Sequence, residues 1–443
     1  MIGCELVLAK RGLAKIGLVI CGLCVVATTV AEPRMHTELV TRLGYGYSSF
    51  AETHNATSLE LMPRLQLTLT EKYEVTVAAR LRGDTNDQYL PGRPDLSNYA
   101  GLARPEHVGE HGLAELRDAF LTVFLDQGLL RLGKQQIVWG TLDGVKVLDQ
   151  LNPQSFEHFI LEPFDQSRIG LLSAYLDLTT AAGRFELALI PDASTHFVPG
   201  PGAYFELTAP RYRFGQSGSN SSVPVQSGGV QDRRGTAGVR WSRYAGGMDI
   251  QVVALSGLDF EPLGRLTEND GQPTLETFHT RRELYGLGVE SSFATFALRG
   301  EISYSPNRLF NTVSGQSLAD TRREHWRAGV GLDWNAPLGI FANVQYLRDQ
   351  VAGTEAGLTR PATEQLYTAF LRRQFLYDTL DVELRWYRSG QEQDRLFRVL
   401  VGYEISDSTR LEFALDDFKG DAQGIFGQFD QRDQVTLTLQ HAF

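Results

Sequence analysis

The chain has 443 residues, of which 42% are hydrophobic and 21% charged, and its formal net charge is −11. An acidic total argues against a nucleic-acid-binding protein, because such proteins need clustered Lys and Arg to meet the phosphates. All three cysteines, Cys4, Cys21 and Cys24, lie within residues 1–31. Residues 32–443 therefore offer neither a disulfide framework nor a cysteine metal site.

The first segment has the features of a secretory signal. Three basic residues precede an apolar run, residues 16–31, that ends in small residues. This pattern predicts a signal peptide over residues 1–31, with cleavage before Glu32. The alternatives are an N-terminal anchor or buried helix, for which the run is short, and lipoprotein processing at Cys21, which the bulky Ile20 before it disfavours.

From residue 37 onward, segments of about ten residues alternate between apolar and polar side chains and are separated by turn residues. Trp326 and Trp334 mark the two ends of the apolar face of one such segment. We expect strands at about 37–47, 57–70, 72–83, 113–125, 129–139, 168–178, 183–190, 235–243, 246–256, 279–291, 293–304, 324–335, 338–349, 364–375, 378–388, 394–405, 408–416 and 432–443. The pattern predicts an all-β transmembrane antiparallel β-barrel of about 18 strands, with 16 as the alternative number.

The connections between these segments alternate in length. Short ones such as "LTEK" and "LDQG" take turns with long ones, which include 84–112, 140–167, 191–234, 257–278 and 305–323. This alternation is typical of an outer-membrane barrel with short periplasmic turns and long extracellular loops. A soluble β-sandwich or β-propeller is the rival, but the charged face of the segments is also rich in glycine, which suits a wet lumen better than a dry core.

The stretch "GLLRLGKQ", from Gly128 to Gln135, nearly matches a phosphate-binding loop. Such a loop needs Ser or Thr after its lysine and then a helix, whereas Gln135 follows Lys134 and the apolar alternation continues as a strand. We therefore expect no nucleotide site here, and no other cofactor motif is found.

The segment that continues to Pro153 resembles an uncharacterised porin-like outer-membrane barrel family with the hairpin pattern L-R-x-G-[RK]-Q…W-G…D…V-x-D…N-P. The matching residues are Arg131, Gly133, Lys134, Gln135, Trp139, Gly140, Asp143, Asp149, Asn152 and Pro153. The resemblance covers about 40 residues. It implies a role in the cell envelope, in moving apolar or lipid-like molecules. It does not point to an enzymatic reaction. Lys134 stands where Arg is more usual.

The third long connection, residues 140–167, carries much apolar surface. Its large apolar residues are Val145, Val147, Leu148, Leu151, Phe156, Phe159, Ile160, Leu161 and Phe164. Because that surface is unfavourable in water, we expect the loop to fold into the barrel, with Asp143, Lys146 and Asp149 facing the remaining opening or pairing with wall arginines. The alternative is a loop over the outer rim, with the two aspartates capping turns.

Alternation also assigns charged residues to the lumen: Arg80, Arg82, Arg131, Arg240, Arg299, Arg327, Arg385 and Arg398, with Glu74, Glu301, Asp333, Glu383 and Glu412. The candidate pore-lining or constriction residues are Arg131, Lys134, Gln135, Trp139, Asp143, Lys146, Asp149, Arg240, Arg299, Glu301, Arg327, Asp333, Glu383, Arg385 and Arg398. Charged rings set solute selectivity in channels, but the same residues could simply pair across neighbouring strands.

These features predict a non-enzymatic, porin-like outer-membrane channel or transporter for small or lipid-like solutes. Two alternatives stay open: a barrel component of a lipid or polysaccharide export assembly, and a barrel hydrolase, although no H-E-x-x-H or G-x-S-x-G motif occurs. The final strand, ending in Phe443, resembles the signal that the outer-membrane assembly machinery recognises. Expected partners are that machinery and outer-membrane lipid; a homo-oligomer and a periplasmic partner are open, and nucleic acid is not expected.

Overall fold

The computed structural model describes residues 33–48, 55–215, 225–230, 234–269, 271–314, 317–390 and 393–443. The predicted signal peptide lies outside these residues. The described part is dominated by a closed antiparallel β-barrel of 18 strands. The fold and the strand number expected from the alternating pattern are thereby confirmed, and the alternative of 16 strands is wrong.

We number the barrel strands in chain order. They are β1 (Arg34–Ser48), β2 (Asn55–Thr70), β3 (Tyr73–Asp84), β4 (Gly112–Leu125), β5 (Gly128–Gln135), β6 (Leu171–Thr180), β7 (Gly183–Ile190), β8 (Thr236–Ala245), β9 (Met248–Leu258), β10 (Arg281–Phe293), β11 (Phe296–Ser314), β12 (Ser317–Ala336), β13 (Ile340–Val351), β14 (Thr363–Phe375), β15 (Leu380–Ser389), β16 (Arg395–Ser406), β17 (Thr409–Lys419) and β18 (Gln434–Ala442).

The barrel closes because the last strand pairs with the first. Val40 of β1 lies opposite Ala442 of β18, and the antiparallel register continues from there to Ser48 opposite Gln434. Every other barrel strand pairs with its neighbours in the chain. A closed ladder leaves no free strand edge, which is the condition for a sheet to cross a lipid bilayer.

The two faces of the strands differ in polarity. Leu287, Val330 and Val344 on β10, β12 and β13 point outward and are about half exposed, whereas Asp333 on β12 and Asn343 on β13 point inward and are buried. An apolar belt outside and a polar interior are typical of membrane barrels.

The connections define two rims. The short turns lie at one end of the barrel, the short-turn rim, and the long loops at the other, the long-loop rim. The connection expected at 305–323 is not a loop, and that expectation is wrong. β11 and β12 continue as a paired hairpin from Arg308 opposite Arg323 to Val313 opposite Leu318, because their residues keep forming ladder hydrogen bonds beyond the bulge that follows Ser305.

A second small sheet lies on this hairpin. Leu263–Asn269, Gln272–His279 and Val225–Val230 form three strands at the long-loop rim. The side-chain amide of Asn311 accepts a hydrogen bond from the Gly264 N–H and donates one to the Gly264 carbonyl, each at 2.8 Å. The region 257–278, expected as a loop, is therefore largely a hairpin packed on the end of β11.

Strand β5 is shorter than the expected 129–139. It ends at Gln135, after Gly133 takes a φ of 134°. Beyond it, the Ile137 N–H donates to the Asn152 side chain at 2.8 Å instead of to a neighbouring strand. A side chain thus replaces the ladder partner, and Trp139 belongs to the loop.

Helical structure is confined to short turns. The described segments are Phe164–Ser167, Gly101–Ala103, Pro337–Gly339 and Gly427–Phe429. In the part of the chain that the structure describes, no helix has the length and apolar character to cross a membrane.

Candidate functional site: the lumen and its loops

Loop 3, which we define as residues 136–170 between β5 and β6, lies against the lumen face of the barrel wall. Three inward-facing glycines on β8, β10 and β12 make room for its side chains. Gly238 lies against Trp139, Gly286 against Leu148 and Gly329 against Leu142. A β-carbon at Gly238 would stand 2.8 Å from the Trp139 ring, and one at Gly329 would stand 2.5 Å from Leu142. The absence of side chains on the wall therefore lets apolar loop residues pack there.

The carboxylate of Glu301 on β11 holds the loop backbone. Its Oε1 accepts hydrogen bonds from the N–H and the hydroxyl of Thr141, the latter at 3.2 Å, and its Oε2 accepts one from the Leu148 N–H at 3.2 Å. Glu301 is buried. A buried carboxylate is costly unless it is hydrogen-bonded, and here the loop supplies the donors.

Arg299, two residues before Glu301, holds the tip of the same loop. One of its guanidinium nitrogens lies 2.6 Å from the Asp143 carboxylate, and another lies 2.6 Å from Asp333 on β12. The Gln345 side chain on β13 donates to the Asp143 carbonyl. Asp143 thus pairs with a wall arginine, in line with one of the two arrangements expected from the sequence.

The second half of loop 3 reaches the opposite part of the wall. Arg80 on β3 lies 3.1 Å from Glu162 and 2.9 Å from Glu115 on β4. Arg82 pairs with Glu157, and Arg398 on β16 donates to the Leu161 carbonyl. The loop therefore contacts lumen-facing residues on β3, β8, β10 to β13 and β16, which places it across the barrel interior.

The pKa values of the two loop glutamates are shifted in opposite directions. Burial favours a raised pKa for both. At Glu162 the neighbouring positive charges together, Arg80 contributing most, outweigh burial and hold the pKa at about 2. At Glu157 burial dominates over Arg82 and the pKa is raised. Glu162 is therefore ionised at neutral pH beside the wall arginines.

Lys146 and Asp149 lie inside the loop and do not face an opening. The Asp149 carboxylate accepts hydrogen bonds from Arg168 at 2.7 and 3.1 Å, and Lys146 lies 3.4 Å from it. Burial lowers the pKa of Lys146 to about 8, although Asp149 opposes the shift. Asn152 joins the two ends of the loop by donating to the Ile169 carbonyl at 2.8 Å. These residues stabilise the base of loop 3.

The other candidate residues are buried or paired, most of them within the wall. Lys134, Gln135 and Trp139 are fully buried. The Arg131 guanidinium lies 5.4 Å from the centre of the Phe120 ring. The other residues form ion pairs: Arg240 with Glu186, Arg327 with Asp349 at 2.5 Å and with Glu261 at 2.8 Å, and Arg385 with Glu383 at 2.6 Å. Their pairing favours the interpretation of these charges as structural ion pairs across the wall.

A second loop crosses the interior, and sequence reasoning missed it. Loop 4 follows β7, and the structure describes its residues 191–215. Phe205 packs on Phe429, in the connection between β17 and β18, with ring centroids 5.5 Å apart. The N–H groups of Thr208 and Ala209 donate to Gln428 at 2.8 and 3.1 Å. In a ring of 18 strands, β7 lies across from β16 and β17, so loop 4 spans the lumen.

The apolar residues of loop 4 are the feature of the sequence that could have predicted its inward course. Phe197, Tyr204, Phe205, Leu207 and Phe214 are all buried. The argument that predicts an inward loop 3 from its exposed apolar surface applies equally to this segment.

A cavity of about 220 Å³ lies beside the loops. Its wall residues come from β1 to β4 and β16 to β18, and they include Gly44, Ser58, Thr436 and Thr438. Loop 3 and the connection between β3 and β4 close the remaining sides. Small inward residues thus leave space on this part of the wall, whereas the inward glycines of β8, β10 and β12 are covered by loop 3.

Charges of both signs line this cavity. Arg42 lies 3.1 Å from Glu60, and Arg398 lies 2.9 Å from Asp416. The lining also includes Glu412 and, near the long-loop rim, other carboxylates. Such a surface attracts water and polar solutes. Among the described residues, no group of three or more His, Cys, Asp and Glu side chains is arranged to hold a metal ion.

Known proteins resemble this chain in fold but not in sequence. No known family profile matches the sequence, and no curated protein matches it. Among solved structures, Acinetobacter baumannii OccAB3 is similar with a TM-score of 0.50 and 9% identity over 92% of this chain and 99% of that chain. Salmonella typhi OmpF in complex with daunomycin gives a TM-score of 0.41 and 8% identity over 93% and 97%. At such identity the OccAB3 likeness shows the fold alone, that of a porin-like barrel.

Proposed function

We propose that this protein is a porin-like channel of the bacterial outer membrane that passes small hydrophilic solutes by diffusion. The outward apolar belt and the closed ladder support insertion in a membrane. The observation that carries the proposal is the course of loops 3 and 4 across the interior, which leaves a cavity with charged residues in its lining along β16 to β18 and β1 to β3. The charged lining favours hydrophilic solutes over lipid-like ones, because charges are poorly solvated by apolar molecules.

Planar-bilayer recording tests the proposal. We compare the full chain with a chain that lacks residues 141–160, and we use as control a chain that lacks residues 312–319 at the tip of the β11–β12 hairpin. We expect a higher conductance only for the loop 3 deletion. Equal conductance in all three proteins would reject a constriction by loop 3, and no conductance in any of them would favour a barrel of an export assembly.

We propose that the outer-membrane assembly machinery recognises the last strand. Phe443 is largely exposed at the short-turn rim, and its N–H donates to the Leu39 carbonyl at 3.0 Å. An exposed terminal aromatic is compatible with recognition by the outer-membrane assembly machinery. We propose no particular homo-oligomer or periplasmic partner from the surface described here.

A further inference from the structure

Three arginines form a cluster on the outer surface of the barrel, near the long-loop rim. Arg348, Arg388 and Arg395 lie on β13, β15 and β16 and are exposed. They occupy outward positions, since Arg388 lies opposite the exposed Tyr367, while Ser389 beside it is buried. Each lies close to the end of its strand at the long-loop rim. We call these three residues the rim arginine cluster.

The strand register brings two of the cations together. Arg388 lies directly opposite Arg395 in the β15–β16 ladder, so their β-carbons are separated by about 5 Å. Like charges in this arrangement are destabilising. Among the residues that the structure describes, no carboxylate pairs with Arg348, Arg388 or Arg395. The sequence places Glu392 nearby, outside the described residues, but one carboxylate would leave a net positive charge on the cluster.

Lys419, the next cation across the ladder, has carboxylate partners. Lys419 on β17 lies opposite Arg395, and its amine lies between 3.6 and 3.8 Å from the carboxylates of Asp417, Asp430 and Asp433. The contrast shows that the fold supplies carboxylates to Lys419, while the described residues supply none to the two arginines beside it.

Aromatic side chains place the cluster at the level of lipid headgroups. Tyr346, Tyr367, Trp386 and Phe397 share the outward face of β13 to β16 next to the arginines. Aromatic residues in this arrangement lie at the membrane–water interface. On β1 to β3 the outward residues near the long-loop rim are instead apolar or aromatic: Tyr45, Tyr47, Leu59 and Leu81. Within the described residues, the outward face of β1 to β3 therefore has no comparable group of arginines at this level.

We propose that the rim arginine cluster binds the phosphate groups of an anionic lipid in the leaflet on the long-loop side. Guanidinium groups bind phosphate oxygens in a planar, bidentate manner. A bound phosphate would relieve the repulsion between Arg388 and Arg395, and the acyl chains would lie along the apolar belt below. The proposal rests on membrane insertion of the barrel, but it does not require that the barrel conduct.

Native mass spectrometry of the full chain in detergent tests this binding, with diphosphorylated lipid A as the probe. We compare the unaltered protein with Arg388→Gln/Arg395→Gln. The control, Arg243→Gln/Arg373→Gln, removes two outward arginines at the short-turn rim. We expect lipid binding to weaken at least about tenfold in the first variant, because two charge-assisted contacts are lost, and to be unchanged in the control. The double variant Arg388→Lys/Arg395→Lys keeps both positive charges but loses the bidentate guanidinium contacts, so we expect its binding to lie between that of the unaltered protein and that of the glutamine variant.

Equal weakening in both glutamine double variants would overturn the proposal, because net charge and not the cluster would then determine binding. Full displacement of the lipid by inorganic phosphate would also overturn it, since the site would then be a general anion site. Loss of binding when lipid A is dephosphorylated would support it. Bilayer conductance measured on the same variants separates this test from the proposed channel function, because we expect the conductance to stay unchanged.

Discussion

At the scale of single residues, one wall carboxylate determines where loop 3 lies. Glu301 binds backbone and hydroxyl groups of the loop at two points, Thr141 and Leu148, which are seven positions apart. Sequence alternation assigns Glu301 to the lumen but not to this contact, because the partner lies 160 residues away in the chain. The inward position of Glu301 was predictable, whereas its hydrogen-bond partners depend on the closed barrel.

The first prediction concerns this carboxylate. Glu301→Ala leaves buried loop donors without an acceptor, at a cost of roughly 1–3 kcal/mol for each such group. We expect the amides of residues 141–148 to exchange with deuterium at least about tenfold faster, and the open-channel current to become noisier. Hydrogen exchange followed by mass spectrometry measures the first effect. Glu74→Ala, which removes another lumen-side acid, should leave both quantities unchanged; the same exchange rates in both variants would contradict the assigned role.

The second prediction concerns pH. The His196 ring accepts a hydrogen bond from the Gln154 N–H at 2.9 Å and thereby joins loop 4 to loop 3. Burial, followed by the charge of Lys146, lowers the pKa of His196 to about 3, although Glu261 and Asp259 oppose the shift. In the released loop the ring takes up a proton below about pH 6.5. The contact is therefore fully stable above that pH and weakens as the pH falls towards 3, by about 1.4 kcal/mol per unit.

Hydrogen exchange of residues 150–158 between pH 7.5 and pH 4, corrected for intrinsic rates, measures this weakening. We expect protection to fall with pH in the unaltered protein and to be nearly independent of pH in His196→Gln, whose amide oxygen still accepts a hydrogen bond but does not titrate. An identical pH dependence in the two proteins would show that another group is responsible.

At the scale of elements, the barrel strands were predictable because their alternation is a local property of the chain. The exceptions have local physical causes that the pattern does not display. Strand β5 ends early because Asn152 captures the Ile137 N–H, and β11 extends past Ser305 because a bulge lets the ladder continue. In both cases hydrogen bonding, and not the apolar period, decides where the strand ends.

The third prediction tests how loop 3 fits against the wall. Gly286 faces Leu148, whereas Gly300 on the adjacent strand has open space on its outward face. Gly286→Val should displace the loop and raise the conductance, since a packed interior does not accept added volume without rearrangement. Gly300→Val should have little effect. Bilayer recordings of the two variants provide the comparison, and equal conductances would argue against close packing at Gly286.

At the scale of the whole molecule, the two inward loops leave the passage on one side. Loop 3 occupies the wall from β8 to β13, and loop 4 crosses towards β17 and β18, so the cavity lies along β16 to β18 and β1 to β3. This asymmetry follows from the loops and not from side-chain size, because small inward residues occur on both sides of the lumen. Gly44, Ser58 and Thr438 face the cavity, whereas glycines on the opposite wall are covered by loop residues.

The fourth prediction locates the passage with introduced thiols, which is possible because residues 32–443 contain no cysteine. Thr438→Cys lies in the cavity lining, and Ser303→Cys is buried on the wall at β11. We expect a charged methanethiosulfonate reagent to modify the first variant and to lower its conductance by about half or more, and to leave the second unchanged. The reverse result would place the passage along β11.

The sequence by itself determined the fold, the approximate number of strands and the side of the wall on which most charges lie, because a period of two residues is set locally by the geometry of a strand. It also indicated, through exposed apolar surface, that loop 3 needs a partner. Only the tertiary structure decided what that partner is, where the cavity remains and which arginines meet. Asp143 and Arg299 are 156 residues apart, and Arg388 lies opposite Arg395 through strand register. Contacts of this kind exist only after the strands have paired and the ring has closed, so no local pattern can display them.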